Sequence, residues 1–169
     1  LLIEGSYTGF PVKLIFAGQN RGRSAARNEG LRICNGEYVM FLDNDDEFTS
    51  AKVESQLAVL LKADSTFAAC YSNYMRVKNE RIVVRNGERR SGKLLVESIA
   101  RDLFVHAGSN LLVKKSVAIE VGGFAENLDI NEDIDFLNRI LIDHKLAYCN
   151  DVGLIVHVHD RRNIDMVAA

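Results

Sequence analysis

Tryptophan is absent from the 169-residue sequence, proline occurs once and cysteine three times. A single proline, Pro11, leaves no segment that could form a proline-rich linker. The cysteines, Cys34, Cys70 and Cys149, are odd in number, far apart, and each lies in or beside an apolar segment. They form no C-x-x-C pair, which argues against a zinc or redox motif. We therefore predict reduced core thiols in a protein of a reducing compartment.

Neither sign of charge dominates, and there is no long apolar run. The net charge of −2 argues against a dominant nucleic-acid surface. No apolar run approaches the roughly 18 residues of a membrane helix, and the start L-L-I-E-G lacks the features of a signal peptide. We expect one soluble domain in the cytoplasm. Because the chain does not start with Met, we also expect it to begin inside a longer gene product.

The first half of the chain alternates strand and helix patterns. Residues 12–17, 38–42 and 67–71 are β-rich or apolar runs, and residues 24–34 and 53–63 have helical spacing, with Ser50 as a possible N-cap. Such alternation predicts a parallel sheet covered by helices. Ligands of such sheets bind beyond the carboxyl ends of the strands.

The second half of the chain shows no regular alternation of strand and helix patterns. We expect strands at 81–85, 110–114 and 154–159, helices at 93–103 and 132–145, and a glycine turn at 121–124. The turn-rich segment 72–92 and the residues just after it are basic, and we favour a solvated face or mobile loop over an anionic ligand or membrane surface. The basic residues are Arg76, Lys78, Arg81, Arg85, Arg89, Arg90 and Lys93.

Four acidic residues follow the apolar run at 38–42, in the order Asp43-Asn44-Asp45-Asp46-Glu47. Mg²⁺ and Mn²⁺ prefer carboxylate oxygens, and Mg²⁺ is commonly held by one or two carboxylates plus substrate phosphates. A D-x-D at a strand end, where alternate side chains point the same way, would suit that role. A solvated acidic turn is the alternative, and for Asp46 and Glu47 we favour a capping or turn role.

Two further groups could take part in chemistry. Glu132 and Asp133 follow Asn131 at the start of a predicted helix, where helix capping and a general base are about equally supported. His157 and His159 share one face of a strand and precede Arg161 and Arg162. They could complete a metal or phosphate site, although a lone histidine on a strand is more often structural.

Taken in order, these residues resemble the inverting family-2 glycosyltransferases of the GT-A fold. The segment N-R-G-R-S-A-A-R-N-E-G…G-E-Y-V-M-F-L-D-N-D-D, within residues 20–46, is similar to that family's N-x-G-x-x-x-A-R-N-x-G and F-L-D-x-D-D motifs. The segment S-N-L-L-V-K-K…G-G-F…N-E-D, within 109–133, resembles its acceptor-side segment with the E-D motif. The resemblance implies an α/β, Rossmann-like sheet, mostly parallel or mixed, with helices on both faces.

The resemblance also implies roles for individual residues. Asp133 would be the catalytic base and Glu132 an acceptor-binding residue. Asp45 would be a direct metal ligand, with His159 as the late metal or diphosphate contact and His157 as second choice. Asp43, Asn44 and Arg27 would lie on the donor side, although we favour local carboxylate pairing for Arg27.

The implied reaction is transfer of a sugar, with inversion, from a nucleotide-diphosphate donor to a glycan or lipid-linked hydroxyl, using Mn²⁺ or Mg²⁺. We expect one domain over residues 1–169, with a donor half at about 12–75 and an acceptor half at about 93–162. No nucleic acid is expected. Peripheral association with the inner face of the membrane and a homodimer are minor expectations.

The family's usual opening, a strand, a helix and a second strand with V-D-D-x-S-x-D, has no match here. We therefore expect the domain to be truncated at its N-terminus, without the first nucleotide-binding β-α unit. Two alternatives follow. One is an inactive fragment that serves as a scaffold or partner-binding domain, and the other is a nucleotidyltransferase-like enzyme.

Overall fold

The computed structural model describes residues 2–7, 10–16, 18–85 and 88–158. Eight strands and six helices occur in these ranges. The strands are β1 Leu2–Tyr7, β2 Phe10–Ile15, β3 Tyr38–Met40, β4 Asp46–Phe48, β5 Phe67–Lys78, β6 Arg81–Arg85, β7 Leu112–Lys114 and β8 Lys145–His157. The helices are α1 Gly22–Ile33, α2 Lys52–Lys62, α3 Leu95–Ile99, α4 Ala107–Asn110, α5 Lys115–Glu120 and α6 Glu132–Asp143.

The main sheet is mixed, in the order β3-β7-β5-β8-β4, with β6 paired to β5. β5 and β8 are parallel neighbours, whereas β7 is antiparallel to both β3 and β5. β3, β5 and β8 therefore run in the same direction, which agrees with the alternating pattern for β3 and β5. The intervening β7 was not expected to run the other way, because strand direction depends on long-range pairing rather than on local pattern.

Helices cover both faces of this sheet, as predicted. On one face, Phe136, Leu137 and Ile140 of α6 pack with Leu31 of α1 and Tyr71 of β5. On the other face, Leu60 of α2 packs over the strand residues Cys70, Leu112, Ala147 and Cys149, of which Ala147 and Cys149 alternate along β8. This alternation follows from the two-residue period of strands. Cys70 and Cys149 are buried free thiols and Cys34 is a half-buried one, which confirms the prediction of unpaired cysteines.

Several predicted boundaries are wrong. β2 pairs with β1 as a separate antiparallel hairpin in the described part of the chain, rather than joining the main sheet. The N-cap of α2 is Ala51 without a side-chain cap, so Ser50 does not cap it. The helix expected at 93–103 is only α3, and Asn110 ends α4 instead of starting a strand.

The glycine turn at 121–124 is confirmed, and α1 holds it in place. Gly122 and Gly123 have φ values of +82° and +68°, a region that glycine adopts without the cost of a Cβ. The Asn28 side chain accepts a hydrogen bond from the Phe124 N–H at 2.8 Å and donates to the Phe124 carbonyl at 2.9 Å. This clamp positions the segment that leads into α6.

Candidate active site

The acidic segment forms a tight turn between β3 and β4. The Asp46 N–H donates to the Asp43 carbonyl at 3.1 Å, which closes a four-residue turn with Asn44 and Asp45 at its exposed centre. The D-x-D therefore lies in a turn. The expectation that alternate side chains point the same way, as on a strand, is wrong.

Arg27 of α1 joins the two acidic segments. Its guanidinium donates to Asp43 Oδ1 and, at 2.9 Å, to Glu132 Oε1. The side chains of Arg27 and Glu132 are only 10% and 3% exposed. Burial lowers the pKa of Arg27, but the hydrogen bonds and charges of Asp43 and Glu132 outweigh it and leave that pKa above its ordinary value. The local carboxylate pairing favoured for Arg27 is confirmed, and its donor-binding role stays a prediction.

The two oxygens of Asp133, in the first turn of α6, have different surroundings. Oδ1 accepts a hydrogen bond from the Ile134 N–H at 2.9 Å, which supports the helix terminus. Oδ2 lies 3.6 Å from the ideal position of a Cβ on Gly108, and Asp43 Oδ2 lies 3.3 Å from the same point. Because both distances meet at one point, the two oxygens can be no farther apart than their sum. Asp43 and Asp133 therefore face one small space above Gly108.

The backbone of Asp46 has the turn role favoured from the sequence, whereas its side chain is buried instead of solvated. Its carboxylate is 4% exposed and lies 3.2 Å from His106 Nε2. Burial raises the pKa of Asp46, but hydrogen bonds with His106 and Ser109 and the charges of His106 and His157 bring that pKa below its ordinary value. Ser109 Oγ also accepts the Asp43 N–H at 3.1 Å, so this serine contacts both ends of the turn.

The late histidines are only partly described. His157 Nε2 lies 2.9 Å from Glu47 Oε1, across the β4–β8 pair, so Glu47 pairs with a histidine rather than capping α2. His159, Arg161 and Arg162 lie outside the described residues. The metal or diphosphate role of His159 therefore stays a prediction.

A buried polar cluster fixes α4 beside the acidic turn. The Asn110 side chain donates to the Ser72 and Val105 carbonyls at 2.7 and 2.9 Å. Its Oδ1 accepts from Lys52 Nζ at 2.7 Å and from Ser72 Oγ at 2.8 Å. Gln56 Nε2 donates to the Asn110 carbonyl at 3.0 Å. Since buried polar groups must be hydrogen-bonded, this cluster holds the short helix in one position.

A cavity of about 330 Å³ opens beside Asp133. Its lining includes the aromatic rings of Tyr74 and Phe104, together with Arg101 and His106. A second concavity, of about 490 Å³, lies between β3 and α5 and has none of the predicted site residues in its described lining. Of these two cavities, the smaller one is therefore the one that has Asp133 in its lining.

No group of three or more His, Cys, Asp or Glu side chains that could hold a metal occurs within the described ranges. Asp43 is already paired with Arg27, and Asp45 is exposed in the turn. Two carboxylates in one turn still suit a hard cation whose coordination is completed by substrate phosphates. None of the helices in the described part of the chain is long and apolar enough to cross a membrane.

Comparison with solved structures identifies the fold. The chain superposes on S. aureus TarS 1-349 in complex with UDP-GlcNAc with a TM-score of 0.64, at 14% identity, over 88% of this chain and 42% of that one. It superposes on the mannosyltransferase PcManGT from Pyrobaculum calidifontis, in complex with GDP-Man and Mn²⁺, with a TM-score of 0.59, at 20% identity, over 85% and 38%. The fold is that of the GT-A glycosyltransferases.

The family is shown by sequence. The family model for glycosyl transferase family 2 matches residues 4–122, and the chain belongs to that family. An uncharacterized glycosyltransferase of Haemophilus influenzae is 27% identical over 158 residues, which cover 88% of this chain and 53% of the relative. The Mycobacterium tuberculosis pre-mycofactocin glycosyltransferase is 27% identical over 93% of this chain and 34% of the relative. The chain thus spans about half or less of the length of these relatives.

Sequence reasoning missed four of the residues that meet here. Gly108 and His106 carry no motif of their own, and Lys52 has the sequence context of an ordinary helix residue. Ser109 opens the quoted S-N-L-L-V-K-K segment, so its position was signalled while its contacts were not. The match to the family model includes Arg27, Asp43 and Gly108 but ends before Glu132 and Asp133, so the roles of these two acids rest on geometry and resemblance.

Proposed function

We propose that this chain transfers a sugar, with inversion, from a nucleotide-diphosphate sugar to an acceptor hydroxyl. The observation that carries the proposal is the meeting of Asp43, from the acidic turn, and Asp133, from α6, above Gly108. One carboxylate belongs to the predicted donor side and the other to the acceptor side. Such a pair suits a reaction in which a base takes a proton while a diphosphate leaves on the opposite side.

In the proposed mechanism Asp133 Oδ2 accepts the proton of the acceptor hydroxyl as its oxygen attacks the anomeric carbon. Asp133 Oδ1 remains bonded to the Ile134 N–H, which fixes the orientation of the carboxylate. Glu132 is buried against Arg27, so in this mechanism it shapes the acceptor site and does not contact the acceptor directly. The cavity with Tyr74 and Phe104 supplies aromatic faces for a glycan acceptor.

We further propose that Asp45 binds Mn²⁺ or Mg²⁺ together with the donor diphosphate, with His159 as an additional ligand. A bound cation supplies Lewis-acid stabilisation of the charge on the leaving diphosphate. Support comes from the carboxylate chemistry of the turn and from Mn²⁺ in the PcManGT complex. Loss of at least about tenfold in Mn²⁺ affinity is expected for Asp45→Ala, and unchanged affinity in calorimetry would contradict the ligand role.

The classes of donor and acceptor that we propose are taken from the ligands and names of similar proteins. The TarS and PcManGT structures contain UDP-GlcNAc and GDP-Man. An Escherichia coli relative, 35% identical over 72 residues that cover 43% of this chain and 28% of that protein, is named UDP-Glc:alpha-D-GlcNAc-diphosphoundecaprenol beta-1,3-glucosyltransferase WfgD. A lipid-linked acceptor at the cytoplasmic face of a membrane is therefore our proposal for the full protein. The division into donor and acceptor halves and the homodimer stay predictions.

The test measures release of nucleotide diphosphate from UDP-glucose, UDP-GlcNAc and GDP-mannose with Mn²⁺. Asp133→Asn is expected to lower the rate by about 100-fold or more, because general-base catalysis contributes on that order. Asp143→Asn, at the exposed opposite end of α6, is the matched control and should keep the wild-type rate. An Asp133→Asn variant with wild-type turnover would remove the base assignment.

A further inference from the structure

Gly108 lies at the point where the two acidic segments and Arg27 come closest. A Cβ at this position would be 3.3 Å from Asp43 Oδ2, 3.4 Å from Arg27 Nη2 and 3.6 Å from Asp133 Oδ2. The missing side chain is not required by the backbone, because Gly108 is absent from the positive-φ residues and lies inside α4. The glycine therefore leaves space next to three charged groups without relieving any backbone strain.

Helix α4, which lies behind this space, is held in position by burial and hydrogen bonds. Ala107, Ser109 and Asn110 are all buried, and Asn110 is fixed by hydrogen bonds to Lys52, Ser72, Gln56 and the Val105 carbonyl. Ser109 Oγ also accepts the Asp43 N–H. A methyl group added at position 108 would consequently fill this space while the helix stays in place: it would be in van der Waals contact with Arg27 and Asp133 and would shift only the Asp43 carboxylate slightly. Interiors packed this tightly transmit added volume to their neighbours.

We propose that Gly108 is a positioning residue that keeps open the gap in which the acceptor oxygen and the donor's anomeric carbon meet. This inference rests on the proposed function and identifies the residue that determines the space available to the reacting atoms. In the transfer, the acceptor O–H proton goes to Asp133, a C–O bond forms at the anomeric carbon, and the bond to the diphosphate breaks with its electron pair leaving on the diphosphate. A methyl group on residue 108 occupies the space that faces both carboxylates, so the reacting atoms would be pushed apart.

The experiment compares Gly108→Ala with Gly30→Ala in the same chain. Gly30 lies in α1, also without a positive φ, and a Cβ there would have no atom within 4 Å, so this substitution should leave the reaction unchanged. The measurements are the rate of diphosphate release from the three donors above, the affinity for UDP and GDP with Mn²⁺, and thermal unfolding. We expect Gly108→Ala to lower the rate constant by about tenfold to 100-fold, because the methyl group takes the space of the reacting atoms, and misplacing these by about 1 Å has effects of that size. The nucleotide affinity should change by less than about threefold, because UDP and GDP carry no sugar and therefore place no anomeric carbon in the gap.

Each outcome decides one question. Wild-type turnover in Gly108→Ala would overturn the inference about the gap and leave the proposed function standing. No turnover in the wild-type chain with any of the three donors would overturn the proposed function and the inference with it. Loss of cooperative unfolding in Gly108→Ala, or loss of nucleotide affinity equal to the loss of rate, would show that the glycine serves the fold or the donor site and would also overturn the inference.

Discussion

Lys52 shows how a side chain of ordinary sequence context acquires an unusual environment. It is 1% exposed, and its Nζ donates to Asn110 Oδ1 and lies 5.0 Å from the centre of the Phe48 ring. Burial lowers the pKa of Lys52, the nearby thiols of Cys70 and Cys149 offset this only partly, and the resulting pKa is about 7. The nearest polar partners are neutral, so no full negative charge offsets the desolvation.

The lowered pKa predicts a pH dependence of stability. Because lysine in the unfolded chain has a pKa of about 10.4, the folded protein binds fewer protons than the unfolded chain between pH 7 and 10. The contribution of Lys52 to the free energy of unfolding therefore rises with pH across this window and is smallest below pH 7. Between pH 7 and 9, the free energy of unfolding of the wild type, measured in urea, should rise by about 2 kcal/mol relative to that of Lys52→Met.

The control for this prediction is Lys62→Met, since Lys62 is an exposed residue at the end of the same helix. Its unfolding free energy should follow the wild type at every pH. Comparing variants at the same pH cancels the titration of tyrosines and of other groups. Parallel pH profiles for wild type and Lys52→Met would mean that Lys52 keeps its ordinary pKa.

Arg27 gives a second prediction at the level of one residue. Its removal by Arg27→Met leaves Glu132, with a side chain 3% exposed, dependent on the more distant Arg23 Nε at 3.5 Å. Breaking a buried pair in this way costs about 3–5 kcal/mol. Arg32→Met breaks an exposed pair with Glu29 on the same helix and should cost less than about 1 kcal/mol in the same unfolding measurement. Equal losses for the two variants would contradict a buried pair at Arg27.

At the level of elements, local pattern was sufficient for the helices with a clear apolar face. α6 and α2 occupy almost the predicted residues, because Leu137 and Leu141 of α6 and Leu57 and Leu60 of α2 face the core at helical spacing. Val53 and Leu61 of α2, which belong to the same apolar pattern, are exposed. β7 and α4 were mispredicted where Asn110 ends a helical turn, because its buried hydrogen bonds come from distant segments. The acidic turn was predicted as a candidate site, whereas the inward position of Asp46 depends on His106, sixty residues away.

The hydrogen bonds of Asn110 join α4 to α2 and β5, so replacing this residue is expected to lower stability strongly. Asn110→Ala leaves Lys52 Nζ with only the backbone carbonyl of residue 110 and removes the donors to the Ser72 and Val105 carbonyls. Each unsatisfied buried group costs about 1–3 kcal/mol, so we expect a loss of about 3 kcal/mol or more in urea unfolding. Asn35→Ala, at an exposed site after α1, is the control and should change stability by less than about 0.5 kcal/mol. An Asn110→Ala variant as stable as this control would argue against the buried network.

For the whole molecule, the resemblance predicted the fold class, and the alternating pattern of the first half predicted the common direction of β3 and β5. The alternating pattern could not predict that β7 would lie between β3 and β5, or that β2 would pair with β1, since both pairings depend on contacts that local sequence does not determine. The candidate site was likewise predictable in its motif residues but not in the contacts between them. The motifs indicated Asp43 and Asp133, and only the folded chain shows that Gly108 brings their oxygens to one space.

The last prediction concerns the binding of a nucleotide by the folded chain as a unit. A ligand that binds only the folded state at a hundred times its Kd raises the free energy of unfolding by about 2.7 kcal/mol. For a chain of this length that corresponds to an increase in Tm of roughly 5–10 °C. We expect this shift with UDP or GDP in the presence of Mn²⁺, and a smaller one with either nucleotide in EDTA. Uridine and guanosine, which lack the diphosphate, are the controls and should give no shift. An unchanged Tm with every nucleotide diphosphate would favour the scaffold alternative, because a domain that has kept the fold of family 2 without binding a donor cannot carry out the transfer.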